Sequence, residues 1–349
     1  MGTRGKFPAR KSRRTVRSDE DALRHAVRIV YAICCVAGSQ RLLEDRAADN
    51  ADSSLRAGIK ASDTGALFDW LIRVLSYQGV SDQAAASYMD MHGSPTWKKI
   101  ASDLCREPSC PLLRNYWTFR GCGYSKWEAT CSRPDHIANC PLPKDRLRNG
   151  RLNQTAFALF FFLRDVADGD FVGWIEQRLK SERRSGPGRN DLTAGRESLL
   201  EPLRHVHGVS DKVLSMALAS LLLAAPAKRR RWREVGGSMI AVDTLVHKLL
   251  HRTGILHRFG SEHLYGPSCV GRNGCVEIIE RVAEQIDARQ FNRKYPRRFA
   301  RFVQHALWRY CAQDGFAECN SVRIKDGKPC RNIYCRVFGQ CDRRPVSKA

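Results

Sequence analysis

The sequence predicts an all-α protein with two helical lobes and a cysteine-rich insertion. Three observations support this fold class. Apolar side chains recur at helical spacing through most of the chain, for example at Leu214 and Leu218. A tight turn around Gly208 joins two such segments. The helical pattern is lost over residues 105–140, and the 349 residues are enough for two domains of ordinary size.

The chain is strongly basic. It carries 59 Lys and Arg against 36 Asp and Glu, which gives a formal net charge of +23. Such an excess favours a polyanionic partner, because each neutralised phosphate releases counterions. A membrane surface is the competing partner, but no apolar run approaches the roughly 20 residues that a spanning helix needs. We therefore expect a nucleic-acid partner and no membrane.

The N-terminal region is expected to contain a disordered basic arm and one helix. Residues 1–17 are basic and lack an apolar centre. Residues 18–59 hold the first helix, which starts at a capping sequence at Ser18, and a polar linker. Because no signal peptide precedes them, we expect an intracellular protein, in the cytoplasm or nucleoid, or in the nucleus of a eukaryote. Thiols stay reduced there, so metal explains the 14 cysteines better than disulfides do.

A helical core is expected over residues 60–260, interrupted by the insertion at residues 105–140. The first core helix runs from Ala66 to Leu75, and Gln78 follows it in a polar turn. The insertion contains His136 and five cysteines, Cys105, Cys110, Cys122, Cys131 and Cys140. These ligands could close a zinc site, which would order a segment poor in apolar residues. Scattered buried cysteines are the alternative.

The core contains a hairpin turn, residues 207–212, with the sequence His-Gly-Val-Ser-Asp-Lys. A Gly- and Arg-rich loop over residues 183–195 leads to it. Gly208 can adopt the positive φ that such a turn needs, and the amides that open the next helix could hold a phosphate. An exposed basic loop follows at residues 228–233, and it contains Arg229, Arg230 and Arg231.

Asp243 lies after a short apolar approach and before a helix. The dipole of that helix stabilises a negative charge at this end. A carboxylate there could stabilise positive charge on a sugar as a base departs. Lys212, at the start of the second hairpin helix, could attack C1′ of that sugar and form a Schiff base. Each feature alone is more often a plain turn or a helix cap.

In these segments the chain resembles the helix-hairpin-helix DNA glycosylases (HhH-GPD) of the endonuclease III and 8-oxoguanine glycosylase superfamily. The family pattern is L-P-G-V-G-x-K followed by V-D-T-H or V-D-V-H. This chain has V-H-G-V-S-D-K at residues 206–212 and V-D-T-L at residues 242–245. Ser210 stands where the family has its second hairpin glycine. By this resemblance Lys212 is the catalytic lysine and Asp243 the catalytic aspartate.

The resemblance also implies a fold and DNA contacts. Two helical lobes would enclose a DNA-binding cleft, with residues 18–59 packed against a C-terminal lobe at residues 261–349. Gln78 matches the glutamine that enters the space left by an extruded base. Gly208 and Ser210 would hold a DNA phosphate through the hairpin.

The C-terminal cysteines extend the resemblance. Endonuclease III relatives end in R-Y-x-C-x6-C-x2-C-x5-C, whose thiolates hold a [4Fe–4S] cluster. Here Arg309 and Tyr310 precede five cysteines with longer gaps between them. The spacing favours Cys311, Cys330, Cys335 and Cys341 as ligands, with Cys319 as the substitute. Zinc, or a loop without metal, remains an alternative.

The resulting expectation is a monomeric base-excision glycosylase, bifunctional with AP lyase activity. Its substrate would be double-stranded DNA containing a damaged or mismatched base, flipped out of the stack before cleavage. The alternative is a non-catalytic, metal-stabilised DNA-binding protein. A pure binder would have no reason to keep Lys212 and Asp243 in this register.

Overall fold

The structure is a computed structural model. It describes residues 13–37, 53–76, 82–105, 110–125, 128–145, 147, 152–181, 189–319 and 324–346. In residues 13–18, 82–83 and 189–190 it describes the backbone alone.

The described residues form fifteen α-helices. In chain order they are α1 (Arg13–Ala37), α2 (Ser53–Ala61), α3 (Thr64–Leu75), α4 (Asp82–His92), α5 (Trp97–Cys105), α6 (Tyr116–Phe119), α7 (Leu152–Phe161), α8 (Phe171–Ser181), α9 (Arg189–Leu203), α10 (Asp211–Leu223), α11 (Arg230–Ser238), α12 (Thr244–Arg252), α13 (Ile255–Arg258), α14 (Cys275–Glu284) and α15 (Ala300–Cys311).

The all-α prediction is confirmed. Among the described residues the β pairing is limited to one isolated bridge between Ser125 and Thr130. None of the described helices combines the length and the apolar character needed to cross a membrane.

The chain divides into two compact units. The first unit combines residues 1–42 with residues 242–349, and the second contains residues 43–241. The sequence predicts a core that ends at residue 260, whereas the second unit ends at Ala241. The boundary therefore falls just before Asp243, which belongs to the first unit.

The first unit is built around α15. Nearly every side chain of this helix is buried, including Phe302, Val303 and Leu307. Helix α1 packs against it through residues such as Ile29 and Ile33, and α12 and α14 pack on it as well. The apolar residues of α1 recur every three or four positions, which places them on one face of the helix.

The core of the second unit contains α3, α7 and α10. Helix α3 starts at Asp63, whose Oδ1 accepts a 2.9 Å hydrogen bond from the Ala66 N–H. Helix α7 is buried along its whole length, and its Phe157, Phe160 and Phe161 rings fill the centre of the unit. Helix α10 packs against α3 and α11.

Two segments predicted as irregular contain helices. The linker within residues 18–59 includes α2, because Leu55 and Ile59 are buried and α2 packs against α3. The loop predicted at residues 183–195 gives way to α9 from Arg189 onward. Both helices have small or polar sequences, so tertiary packing stabilises them more than intrinsic propensity does.

Candidate functional site

The hairpin turn lies in the second unit between α9 and α10. Gly208 has a φ of +78°, the left-handed conformation that the sequence predicts. The Thr155 hydroxyl on α7 donates a 2.6 Å hydrogen bond to the His207 carbonyl. Ser210 caps α10, since its hydroxyl accepts from the Val213 N–H at 3.5 Å. The other N–H groups of the first helical turn have no acceptor within the helix.

Lys212 is exposed in the first turn of α10. The acidic groups near it are already paired. The Nε atom of Arg204 lies 3.0 Å from the Asp211 carboxylate, and its Nη1 lies 2.7 Å from Glu197. Hydrogen bonding to Glu197, with a further contribution from Asp211, raises the pKa of Arg204. Lys212 makes no ion pair with any described residue, so its charge is available to an anionic ligand.

The basic segment at residues 228–233 is not an exposed loop, contrary to the sequence prediction. Helix α11 begins at Arg230 and buries Trp232. The Arg229 guanidinium lies over the Trp232 ring, 4.7 Å from its centroid, and its Nε is 3.0 Å from the Glu176 carboxylate. Burial of the apolar Trp232 indole removes this part of the segment from water, and Arg229, which packs on the indole, is partly buried with it.

Only part of the segment can meet a phosphate. Arg231 is half-buried and its Nη1 lies 2.6 Å from the Asp191 carboxylate, so its charge is neutralised within the unit. Lys228 and Arg230 are exposed, and neither forms an ion pair with a described residue. Arg230 is thus the one exposed member of the three arginines predicted to bind DNA.

Asp243 caps α12 in the first unit, at a helix start as the sequence predicts. Its Oδ1 accepts a 2.9 Å hydrogen bond from the Val246 N–H. The Tyr265 hydroxyl donates to the Val242 carbonyl at 3.5 Å. Burial raises the pKa of Tyr265, and the neighbouring charge of Asp243 raises it further. Asp243 and Lys212 belong to different units, and Gln78 lies outside the described residues.

Helix α12 is anchored at its other end by an ion-pair network. Arg252 is 1% exposed, and its Nη2 lies 2.9 Å from the Asp326 carboxylate and 3.1 Å from the Ile324 carbonyl. Lys248 reaches the same carboxylate at 2.7 Å. Burial opposes the ionisation of Asp326, but Lys248 and Arg252 outweigh it and lower its pKa. The network holds α12 against the cysteine-containing tail.

The tail cysteines surround a cavity beside α12. Four cysteines line it: Cys319, Cys330, Cys335 and Cys341. Arg252, Thr253, Tyr310, Glu318 and Arg343 are the other polar residues of the lining. Cys311, which the sequence favours as a ligand, is fully buried in the last turn of α15, with its thiol hydrogen-bonded to that of Cys319.

Sulfur atoms around the cavity take part in hydrogen bonds, and Cys341 Sγ donates to the Arg252 carbonyl at 3.4 Å. The Arg343 N–H lies 3.3 Å from Cys341 Sγ, and the Tyr310 hydroxyl lies 3.1 Å from Cys335 Sγ. Burial raises the pKa of Cys341 to about 12. Such a thiol becomes a thiolate only when a cation binds it, and hydrogen bonds to sulfur are a feature of ligated clusters.

A second group of ligand side chains lies in the first unit, and the sequence analysis missed it. His247, His263, Cys269 and Cys275 bring one ligand atom each within 4.8 Å of one another. Among the described residues they are the one group of three or more such side chains compact enough to share an ion. This group could hold a metal ion. The available signal is the spacing of Cys269 and Cys275, but the two histidines precede them on different elements and match no named motif.

Hydrogen bonds connect the members of this group. The Nδ1 atom of His247 lies 3.3 Å from Cys275 Sγ and 3.5 Å from Cys269 Sγ. The Nε2 atom of His263 lies 3.4 Å from Cys275 Sγ. Hydrogen bonding from Cys275, aided by His247, lowers the pKa of the Cys269 thiol, and the same interaction raises that of Cys275.

The insertion brings four of its five cysteines together. Burial raises the pKa of Cys140 to about 11, and the neighbouring thiols of Cys122, Cys131 and Cys110 add to the shift. Cys131 Sγ accepts from the Arg133 N–H at 3.3 Å. Cys105 is exposed at the end of α5.

Comparison of the chain with protein-family models, with curated proteins and with solved structures finds no match.

Proposed function

We propose that the protein is a DNA base-excision glycosylase with AP lyase activity, acting on double-stranded DNA that contains a damaged or mismatched base. The HhH-GPD arrangement of two lobes around a DNA cleft is part of this proposal. So are a monomeric state and an intracellular location. The alternative is a DNA-binding protein without catalytic activity.

One observation carries the proposal. The hairpin turn contains Gly208 in the left-handed conformation, and it opens a capped helix whose first turn exposes Lys212. A plain connecting turn does not require the hydrogen bond from the buried Thr155 hydroxyl to the His207 carbonyl. It also does not require an exposed amine, that of Lys212, beside the unpaired amides at the start of α10. The unpaired amides form an anion-binding site of the type that holds a DNA phosphate, and the exposed Lys212 amine beside them can act as a nucleophile. The net charge of +23 supports a polyanionic partner.

The proposed chemistry uses an amine and a carboxylate. The unprotonated Lys212 amine attacks C1′, the C1′–N bond breaks, and the base leaves with the bonding electron pair and takes up a proton. Asp243 stabilises the positive charge that develops on the sugar. Ring opening gives a Schiff base between Lys212 and C1′. Loss of a proton from C2′ then expels the 3′ phosphate by β-elimination.

The cysteines of the tail are assigned to a [4Fe–4S] cluster. Cys319, Cys330, Cys335 and Cys341 line one cavity, so Cys319 takes the place that the sequence favours for Cys311. The cysteines of a cubane bind different irons and lie farther apart than the ligands of a single zinc ion. In keeping with this, they do not form a compact group of the kind found at His247. The cluster would hold the tail against α12.

A zinc site in the insertion, through Cys110, Cys122, Cys131 and Cys140, is part of the proposal. These thiols lie near one another but do not form a compact group in the described structure, so they would have to draw closer to share one ion. Metal ligation would supply the order that the few apolar residues of this segment cannot. Cys105, the fifth candidate, is left out because it is exposed.

Borohydride trapping on a panel of oligonucleotides, each with one lesion, tests the proposal. Reduction converts the Schiff base to a stable amine, so the protein should become covalently linked to DNA on its own substrate. Lys212→Gln should abolish trapping and keep DNA binding. Lys98→Gln is the matched control, because Lys98 is an exposed helical lysine of the same unit outside the proposed site.

Two outcomes refine or reject the mechanism. If Lys212→Gln still releases the base and loses only strand cleavage, water rather than the amine is the nucleophile. If the parent protein releases no base from any lesion but binds duplex DNA, the hairpin belongs to a binding protein.

A further inference from the structure

We propose that His247, His263, Cys269 and Cys275 bind one structural Zn²⁺ ion that organises the first unit around the start of α12. This site is separate from the cluster assigned to the tail. It uses none of the cysteines that the sequence analysis considered as ligands.

The distances match a single tetrahedral ion. Bonds of about 2.0–2.3 Å from zinc to nitrogen and sulfur place neighbouring ligand atoms about 3.3–3.8 Å apart. Three of the six separations are 3.3 Å and 3.5 Å from His247 Nδ1 to the two sulfurs and 3.4 Å from His263 Nε2 to Cys275 Sγ, and the four ligand atoms all lie within 4.8 Å of one another. A set of two sulfurs and two nitrogens in this geometry is typical of zinc.

The imidazole tautomers suit the same ion. His263 Nδ1 lies 2.6 Å from the Ser261 carbonyl, so it carries the hydrogen and leaves the Nε2 lone pair for a metal. His247 is fully buried, and its Nε2 has no hydrogen-bond partner among the described residues. The polar contacts of this ring are therefore made through Nδ1, which faces the two sulfurs.

Charge balance also favours a divalent ion. Cys275 and His247 are 0% exposed and Cys269 is 2% exposed, so an unbalanced charge would be costly here. The charges of two thiolates and one Zn²⁺ ion sum to zero.

Cys275 is the first residue of α14, whose N-cap, Gly274, has no side chain to satisfy the first-turn amides. A thiolate at that position is stabilised by the helix dipole. Four protein ligands leave no open position, which indicates a structural ion.

The segment between α13 and α14 has little apolar packing. Over residues 259–274 the buried positions are Cys269 and Gly274. Its large apolar side chains point outward, with Leu264 66% exposed and Val270 56% exposed. Polar contacts such as the Arg344–Glu262 ion pair hold this segment without an apolar core, and ligation of His263, Cys269 and Cys275 would add the order that such a core usually provides.

The ion would join this segment to α12 at His247, one helical turn after Asp243. Tyr265, which donates to the Val242 carbonyl, lies in the same segment. The site would therefore position the N-terminus of α12. Any effect of the zinc ion on Asp243 as a catalytic group rests on the proposed function. The presence of the ion does not.

Metal content of the purified full-length protein tests the proposal. Elemental analysis should find that Cys275→Ala and His263→Ala each lose one zinc equivalent per chain relative to the parent. Cys34→Ala is the control, because Cys34 is a buried cysteine of the same unit on α1, and it should keep the parental zinc. The comparison is differential because the insertion cysteines are a separate candidate zinc site.

Equal zinc in the parent and in Cys275→Ala would overturn the proposal. Should these alanine variants not fold, zinc-edge X-ray absorption of a variant with His136 and Cys140 replaced by alanine decides the question. A shell that includes nitrogen supports the site, and an all-sulfur shell or a folded protein without zinc rejects it. Neither measurement depends on glycosylase activity. If the protein binds this zinc but is inactive on every lesion, only the proposed function is rejected.

Discussion

Replacement of Asp243 by asparagine separates its structural role from its catalytic one. Asp243 Oδ1 accepts a 2.9 Å hydrogen bond from the Val246 N–H, and an asparagine oxygen can accept the same bond. The variant therefore keeps the N-cap and loses the negative charge. Loss of the charge–dipole interaction costs about 0.3–1 kcal/mol of stability. Asp243→Ala also removes the cap, which costs about 0.5–2 kcal/mol.

The expected catalytic loss is much larger. Removing one preorganised electrostatic group from a transition state typically slows the chemical step about 10²–10³-fold, or about 2.7–4 kcal/mol. Single-turnover base release on the preferred lesion measures this step, and chemical denaturation followed by helical circular dichroism measures stability. We expect Asp243→Asn to lose most of its rate and little of its stability.

Asp63→Asn is the matched control. Asp63 caps α3 with the same 2.9 Å geometry, from its Oδ1 to the Ala66 N–H, and has no proposed catalytic role. It should show the small stability loss without the loss of rate. If base release by Asp243→Asn equals that of Asp63→Asn, Asp243 is only a helix cap and the catalytic assignment is wrong.

Two further predictions concern the basic segment and the tail. Lys228→Gln combined with Arg230→Gln should weaken duplex binding and reduce the slope of log K against log salt by roughly 0.9 for each phosphate that is no longer neutralised. Arg231→Gln should leave that slope unchanged, because Arg231 is neutralised within the unit. Equal slopes in both variants would place this segment away from DNA. Protein purified without oxygen should be brown. Cys319→Ser should lose the colour and Cys311→Ser should retain it, because Cys319 lines the cavity. A colourless parent that contains only zinc would reject the cluster.

Local sequence was sufficient for several of the helices and for the helix start at Asp243. The apolar spacing of α1, α3 and α10 predicts helices close to where they occur, because one apolar face must be buried wherever the chain packs. Asp243 is recognisable as a helix start because a carboxylate satisfies first-turn amides. Gly208 is recognisable because residues with a side chain rarely adopt a φ near +78°. These features depend on neighbours within a few residues.

Charge runs were less informative because a sequence does not show which cations are paired. The basic run at residues 228–233 suggests an exposed loop, but Arg229 and Arg231 find carboxylates on α8 and α9. Those partners lie tens of residues away along the chain. The burial of Trp232, and the helix that results, likewise depend on the packing of α11 against α10.

The metal ligands show the same division. The sequence identified a cysteine-rich tail, but only the tertiary structure placed Cys319 on the cavity and Cys311 behind it. His247 lies on α12 and Cys275 at the start of α14, and no spacing rule connects them. A ligand set is defined by distances of a few ångströms between side chains, and such distances between separate elements arise only when the helices pack. The sequence by itself determined the helices whose apolar face shows in the local pattern, and tertiary packing decided the remaining helices and which polar side chains meet.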